Sequence, residues 1–88
     1  MDEQDAREAM HELDATVRVG KGGVGAVADE LAAQLRNDEP VKVKFLRSSR
    51  GGATTEELAR ELAEEAGAAL AETRGHTAVY VRDLIRGP

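Results

Sequence analysis

The chain has 88 residues, no cysteine, 33 % charged residues and a net charge of −5. At this length a chain buries about 60–65 % of its unfolded surface, which leaves room for one core and no second domain. Disulfides and cysteine-based zinc sites are excluded, the apolar runs are too short to span a membrane, and no charged start leads into a secretory-type hydrophobic stretch.

Ala6, Ala9, Met10 and Leu13 recur at helical spacing, so residues 2–13 are expected to form a helix with Asp2, Glu3 and Asp5 in its first turn. Thr16-Val17-Arg18-Val19 alternates with period two, a short strand with its valines on one face. Gly20-Lys21-Gly22-Gly23 breaks it. Val24, Val27, Ala28, Leu31 and Leu35 restart a helical stripe that runs to about Arg36 and is closed by Asn37 and Pro40.

Val41-Lys42-Val43-Lys44-Phe45 is the clearest strand, with Val41, Val43 and Phe45 facing one way and both lysines the other. Arg47-Ser48-Ser49-Arg50-Gly51-Gly52-Ala53 has the composition of a mobile loop. Thr54 and Glu57 have the spacing of a capping box, opening a third helix with Leu58, Ala59, Leu62 and Ala66 inward and Gly67 as its stop. A weak strand of small residues follows over 68–73, then a tight turn at Gly75-His76. The last strand, Thr77 to Arg82, carries Val79 and Val81 on one face, and a frayed tail is expected over 83–88.

The expected architecture is therefore one α/β domain over 1–88 with a core of about 5–82 and the order α-β-α-β-α-β-β. Two β-α-β crossovers imply parallel pairing and the final hairpin an antiparallel pair, giving a four-stranded mixed sheet with packed helices.

The chemically loaded segment is Val19-Gly20-Lys21-Gly22-Gly23-Val24-Gly25, between a strand and a helix. Its start matches the variant phosphate loop of the nitrogenase-iron-protein and cell-division ATPases. That loop must continue with Lys and then Ser or Thr, and here Ala26 and Val27 follow, so nucleotide hydrolysis is not expected. Two readings of Gly20-Lys21-Gly22-Gly23 remain open. One is a glycine-rich turn of purely structural use. The other is a GxxG loop, whose glycines let the backbone lie against nucleic-acid phosphates with a lysine at the tip.

Over about residues 5–82 the chain resembles the YhbY-like, CRM-domain family of RNA-binding ribosome-maturation proteins. The resemblance is carried by a co-linear set: His11-Glu12-Leu13, Val17-Arg18-Val19-Gly20-Lys21-Gly22-Gly23 and Glu39-Pro40-Val41-Lys42-Val43-Lys44. Glu64-Glu65-Ala66-Gly67-Ala68, Gly75-His76-Thr77-Ala78-Val79 and Arg82 complete it. The resemblance implies the same element order, an RNA-contacting loop at Gly20, Lys21, Gly22 and Gly23, and a basic strand at Lys42 and Lys44. It also implies attachment to ribosomal RNA or a pre-ribosomal large subunit during assembly, in the cytoplasm.

Three positions depart from the family pattern. Pro40 removes a backbone donor at the strand start. His76 replaces a basic residue after the hairpin glycine, so charge there follows pH. Tyr80 is displaced by one position, to the opposite side of its strand.

Counted by segment, charge is −5 over residues 1–15, +3 over 16–50, −5 over 51–72 and +2 over 73–88. Acid collects on the first and third helices, and base on the strands and loops. Arg18, Lys42 and Lys44 alternate away from the valines and, with Lys21, Arg47 and Arg50, form the expected RNA-binding set. The total charge and the three lysines among twelve bases are the composition of a protein kept soluble in concentrated salt. No metal, cofactor or catalytic residue is expected: His11 and His76 have no ligand-spaced partners, and Ser48-Ser49 have no candidate base. A monomer without membrane attachment is favoured. The rival reading is a protein–protein adaptor whose acidic helices dock on a basic partner.

Overall fold

The valine alternation yields two side-by-side parallel strands, β1 (Val17–Val19) and β2 (Val41–Phe45), with Val17 opposite Val43 and Arg18 opposite Lys44. The computed structural model that shows this describes residues 3–82, apart from the side chains of Glu3 and Arg50. The tail expected over 83–88 lies outside the described residues. Between the strands the chain makes a 3₁₀ turn at Val24–Ala26 and then helix α2 (Ala28–Asn37). A four-residue helix α3 (Arg47–Arg50), helix α4 (Thr55–Ala66), and the hairpin strands β3 (Ala69–Arg74) and β4 (Thr77–Val81) complete it, after an opening helix α1 (Glu3–Glu12).

The sheet is four-stranded and mixed, as expected, in the order β1-β2-β4-β3. One pairing differs from expectation. The second crossover does not place β3 beside β2; β4 inserts between them, antiparallel to both. The tight turn at Gly75-His76 folds the hairpin back, and the more apolar partner, β4, takes the central position. There it is covered on both faces: Ala78, Val79, Tyr80 and Val81 are all fully buried.

One face of the sheet packs under α2 and α4. Val17, Val19, Val41, Val43, Phe45 and Tyr80 meet Leu31, Leu35, Leu58 and Leu62 there in the main core. The Tyr80 hydroxyl donates to the Ala59 carbonyl at 2.8 Å, and burial pushes its pKa above the ordinary tyrosine value. The capping predictions hold at α4. Thr54 Oγ1 accepts from the Glu57 amide at 3.1 Å, and Gly67 ends the helix at φ 68° with the Ala68 amide returning to the Ala63 carbonyl.

Two segments depart from the sequence reading. The second helix does not start at Val24. Gly25 is a poor helix residue, and a single 3₁₀ turn, closed by the Val27 amide on the Val24 carbonyl at 3.1 Å, precedes α2. The expected loop at 47–53 begins as the helical turn α3, because both the amide and the hydroxyl of Ser49 donate to the Leu46 carbonyl, at 2.9 and 2.6 Å.

The other sheet face receives α1 through Ala6 and Met10, both buried. This helix lies over β3 and β4, with the Thr77 hydroxyl 3.1 Å from the Met10 sulfur. It leaves the β1–β2 half of that face uncovered. Among the described residues no helix is long and apolar enough to cross a membrane.

The residues Glu39 and Arg82 meet at the far end of the sheet. Arg82 donates to Glu39 from its backbone amide at 2.9 Å and from its guanidinium at 2.9 and 3.3 Å. The side-chain hydrogen bond from Arg82, ahead of the other influences, holds the Glu39 carboxyl below the ordinary value of 4.5. A depressed carboxyl pKa stabilises the fold above the unfolded value and loses that contribution as pH falls through the folded value. Glu39→Gln is therefore expected to lower stability at neutral pH and flatten its fall below pH 4.5. Urea unfolding across that range checks this, and parallel curves for the two proteins would contradict it.

Candidate functional site

Because β1 and β2 run parallel, the segments that follow them emerge at the same end of the sheet. Gly20–Gly23 follows β1, the α3 turn follows β2, and the Leu46 amide donates to the Val19 carbonyl at 2.9 Å to hold them together. The β3–β4 turn arrives at this end too, since the Phe45 amide donates to the His76 carbonyl at 2.7 Å. The His76 ring lies 3.4 Å from the Thr55 hydroxyl at the start of α4.

The GxxG segment is a closed turn. The Gly23 amide donates to the Gly20 carbonyl at 3.0 Å, which leaves Lys21 and Gly22 at its tip, both exposed. Gly23 has φ 77° and ψ −176°, a conformation that essentially belongs to glycine. At Gly22 a Cβ would come within 3.1 Å of the Ala26 methyl, so the turn also packs closely on the 3₁₀ segment. The Gly23 amide is bonded within the turn and is not presented outward.

Arg18 and Lys44 are exposed and opposite each other on the uncovered half of the second sheet face. Lys42 shares that face but is set differently from its neighbours. It lies opposite Val79, beneath the end of α1, and its ammonium donates to the Met10 and Leu13 carbonyls at 2.7 and 3.1 Å. These are carbonyls at the C-terminus of α1, where a cation is favoured by the helix dipole. Arg47 is exposed on α3; the Arg50 side chain lies outside the described residues.

An open cleft of about 480 Å³ runs between the end of α1 and strands β1 and β2, lined by Leu13, Asp14, Ala15, Arg18, Lys42, Lys44 and Thr77. Alternation along the strands pointed to the three cations. The other four lining residues escaped sequence reading, because helical periodicity shows which side of α1 is buried but not where on the sheet it docks. Beside this region the Arg74 guanidinium lies 2.8 Å from His11 Nε2, joining β3 to α1. Among the described residues no group of three or more His, Cys, Asp or Glu is placed to hold a metal.

The site is thus a glycine turn between β1 and a helix on a β1-β2-β4-β3 sheet. The sequence profile of the CRS1/YhbY (CRM) domain matches residues 2–82. The chain belongs to this family. A solved relative, the hypothetical protein SAV1595 from Staphylococcus aureus, is described as a candidate RNA-binding protein. It is 26 % identical and superposes with a TM-score of 0.73, covering 92 % of this chain and 83 % of its own. Comparison with curated proteins gives no match. In this CRM domain the glycine turn and His76 lie at one end of the sheet, and Glu39 and Arg82 at the other. Tyr80, displaced by one position, points into the main core opposite Val41.

Proposed function

We propose that this CRM domain is a non-enzymatic RNA-binding module that attaches to structured ribosomal RNA during large-subunit assembly in the cytoplasm, as a monomer and without a cofactor. The observation that carries the reading is the convergence at one end of the sheet of the exposed Lys21-Gly22 tip, Arg47 on α3, and the Arg18–Lys44 pair one step behind them. Membership of a family with an RNA-binding relative supports it.

In this reading the turn Gly20–Gly23 lies against the RNA backbone, Lys21 pairs with a phosphate, and Arg18 and Lys44 follow the next phosphates. Arg47 and Arg50 contribute charge from α3. Lys42 acts chiefly by securing the end of α1 beside them. With two aromatic residues in the chain, both Phe45 and Tyr80 buried, base stacking on an aromatic platform plays no part. Recognition is then of backbone and shape more than of sequence.

Lys21→Glu is expected to weaken binding to a ribosomal RNA fragment about tenfold and to reduce the salt dependence by about one phosphate contact. Gly22→Asp should do the same, with circular dichroism confirming that both variants fold. Unchanged affinity in both variants would end the assignment. An adaptor using its acidic helices would instead be indifferent to Lys21 and sensitive to charge reversal at Glu61 and Glu65 on α4.

A further inference from the structure

We infer that the cleft between the end of α1 and strands β1 and β2 is a seat for a single unstacked ribonucleotide, its phosphate held by Arg18 and Lys44 and its sugar and base lying against Leu13, Ala15 and Asp14. This rests on the RNA-binding reading and deepens it, from a surface that follows a backbone to one that takes up an individual residue of it.

Size is the first argument. About 480 Å³ is within the range of small-ligand sites, roughly 300–1,000 Å³, and too much for a lone phosphate. The second argument is the layout of charge. Arg18 and Lys44 are direct neighbours on parallel strands, about 4.8 Å apart along the sheet, so both can reach one phosphate group. The C-terminus of α1 would ordinarily repel that phosphate. Lys42 removes the repulsion by bonding the Met10 and Leu13 carbonyls, and its charge remains inside the cleft.

The third argument is the wall opposite the cations. Leu13 and Ala15 are half-buried and offer apolar surface, which a phosphate or a solvated backbone does not use. Asp14, exposed between them, is a carboxylate in a cationic cleft. It opposes an approaching phosphate but accepts hydrogen bonds from a ribose hydroxyl or a base amino group. A wall that combines apolar surface with an acceptor, facing a pair of cations, matches a whole nucleotide. In a base-paired duplex the base is stacked and cannot enter; a bulge, loop or single-stranded end can deliver it.

The test is nuclear magnetic resonance titration of the ¹⁵N-labelled chain with three probes. They are a single-stranded RNA tetranucleotide, the same tetranucleotide with abasic riboses, and a short RNA duplex. The expected result is that the tetranucleotide shifts the amides of Leu13, Asp14, Ala15, Arg18 and Thr77. The abasic form should bind at least about threefold more weakly, a difference of about 0.6 kcal/mol, and leave Leu13 and Ala15 unmoved. Lys44→Gln should remove the cleft shifts while the duplex still perturbs Lys21 and Gly22. Equal binding and equal shifts from the base-carrying and abasic probes would overturn the inference and leave a phosphate patch. Perturbation of the turn without the cleft would overturn it while sparing the RNA reading. Failure of every probe and of the ribosomal fragment would overturn both.

Discussion

Lys42→Met is expected to destabilise the domain by about 1–2 kcal/mol, while Lys44→Met on the same strand face changes stability by less than about 0.5 kcal/mol. The two lysines are two residues apart on β2 and point the same way, so pattern alone treats them as equivalent. Their surroundings differ. Lys44 is exposed opposite Thr77, whereas Lys42 is half-buried and donates to the Met10 and Leu13 carbonyls at 2.7 and 3.1 Å. Methionine keeps the aliphatic stem and removes the ammonium, so the comparison isolates the charged hydrogen bonds. Charge-assisted bonds of this kind contribute about 1.5–3 kcal/mol when buried, and partial solvent access at the end of α1 reduces that. Urea unfolding measures the difference, and hydrogen exchange should show faster opening at Leu13, whose amide donates to the Ala9 carbonyl at 2.9 Å. Equal stability in the two variants would mean that Lys42 does not secure α1.

That contrast marks the boundary of what the sequence makes legible. The strands could be read because Val17, Val19, Val41, Val43 and Phe45 alternate with charged residues, and alternation assigns each side chain a face. The caps of α4 could be read because Thr54, Glu57 and Gly67 act within one turn of their own positions. The glycine turn could be located between a strand and a helix for the same reason. What could not be read is long-range. Ala6 and Met10 announce a buried stripe, but nothing near them says that it lies on β3 and β4, on the lysine side of the sheet. The open basic face consequently keeps Arg18 and Lys44. Asp14 and Leu13 border its open half, and Lys42 serves the helix end. The position of β4 was hidden similarly: a crossover fixes the direction of β3 relative to β2, and leaves open whether a third strand enters between them.

Gly23→Ala is expected to cost about 1–3 kcal/mol and, in whatever population stays folded, to swing the turn out of place and weaken RNA binding along with it. The cause is purely conformational. Gly23 sits at φ 77° and ψ −176°, and a methyl group there would meet nothing within 4 Å, so crowding contributes nothing. An alanine must either bear the strain or rotate to negative φ. Rotation about its N–Cα bond swings the whole turn relative to the 3₁₀ segment and breaks the bond from the Ala26 amide to the Gly23 carbonyl, so Lys21 and Gly22 are no longer presented in the same place. Gly22→Ala provides the control, because its difficulty is steric: its methyl would face the Ala26 methyl at 3.1 Å. Ala26→Gly should therefore recover most of the loss caused by Gly22→Ala and none of that caused by Gly23→Ala. Thermal unfolding and RNA titration of the four variants read both effects. Rescue of Gly23→Ala by Ala26→Gly would show that packing on the 3₁₀ segment, and not backbone conformation, is what requires glycine at the end of the turn.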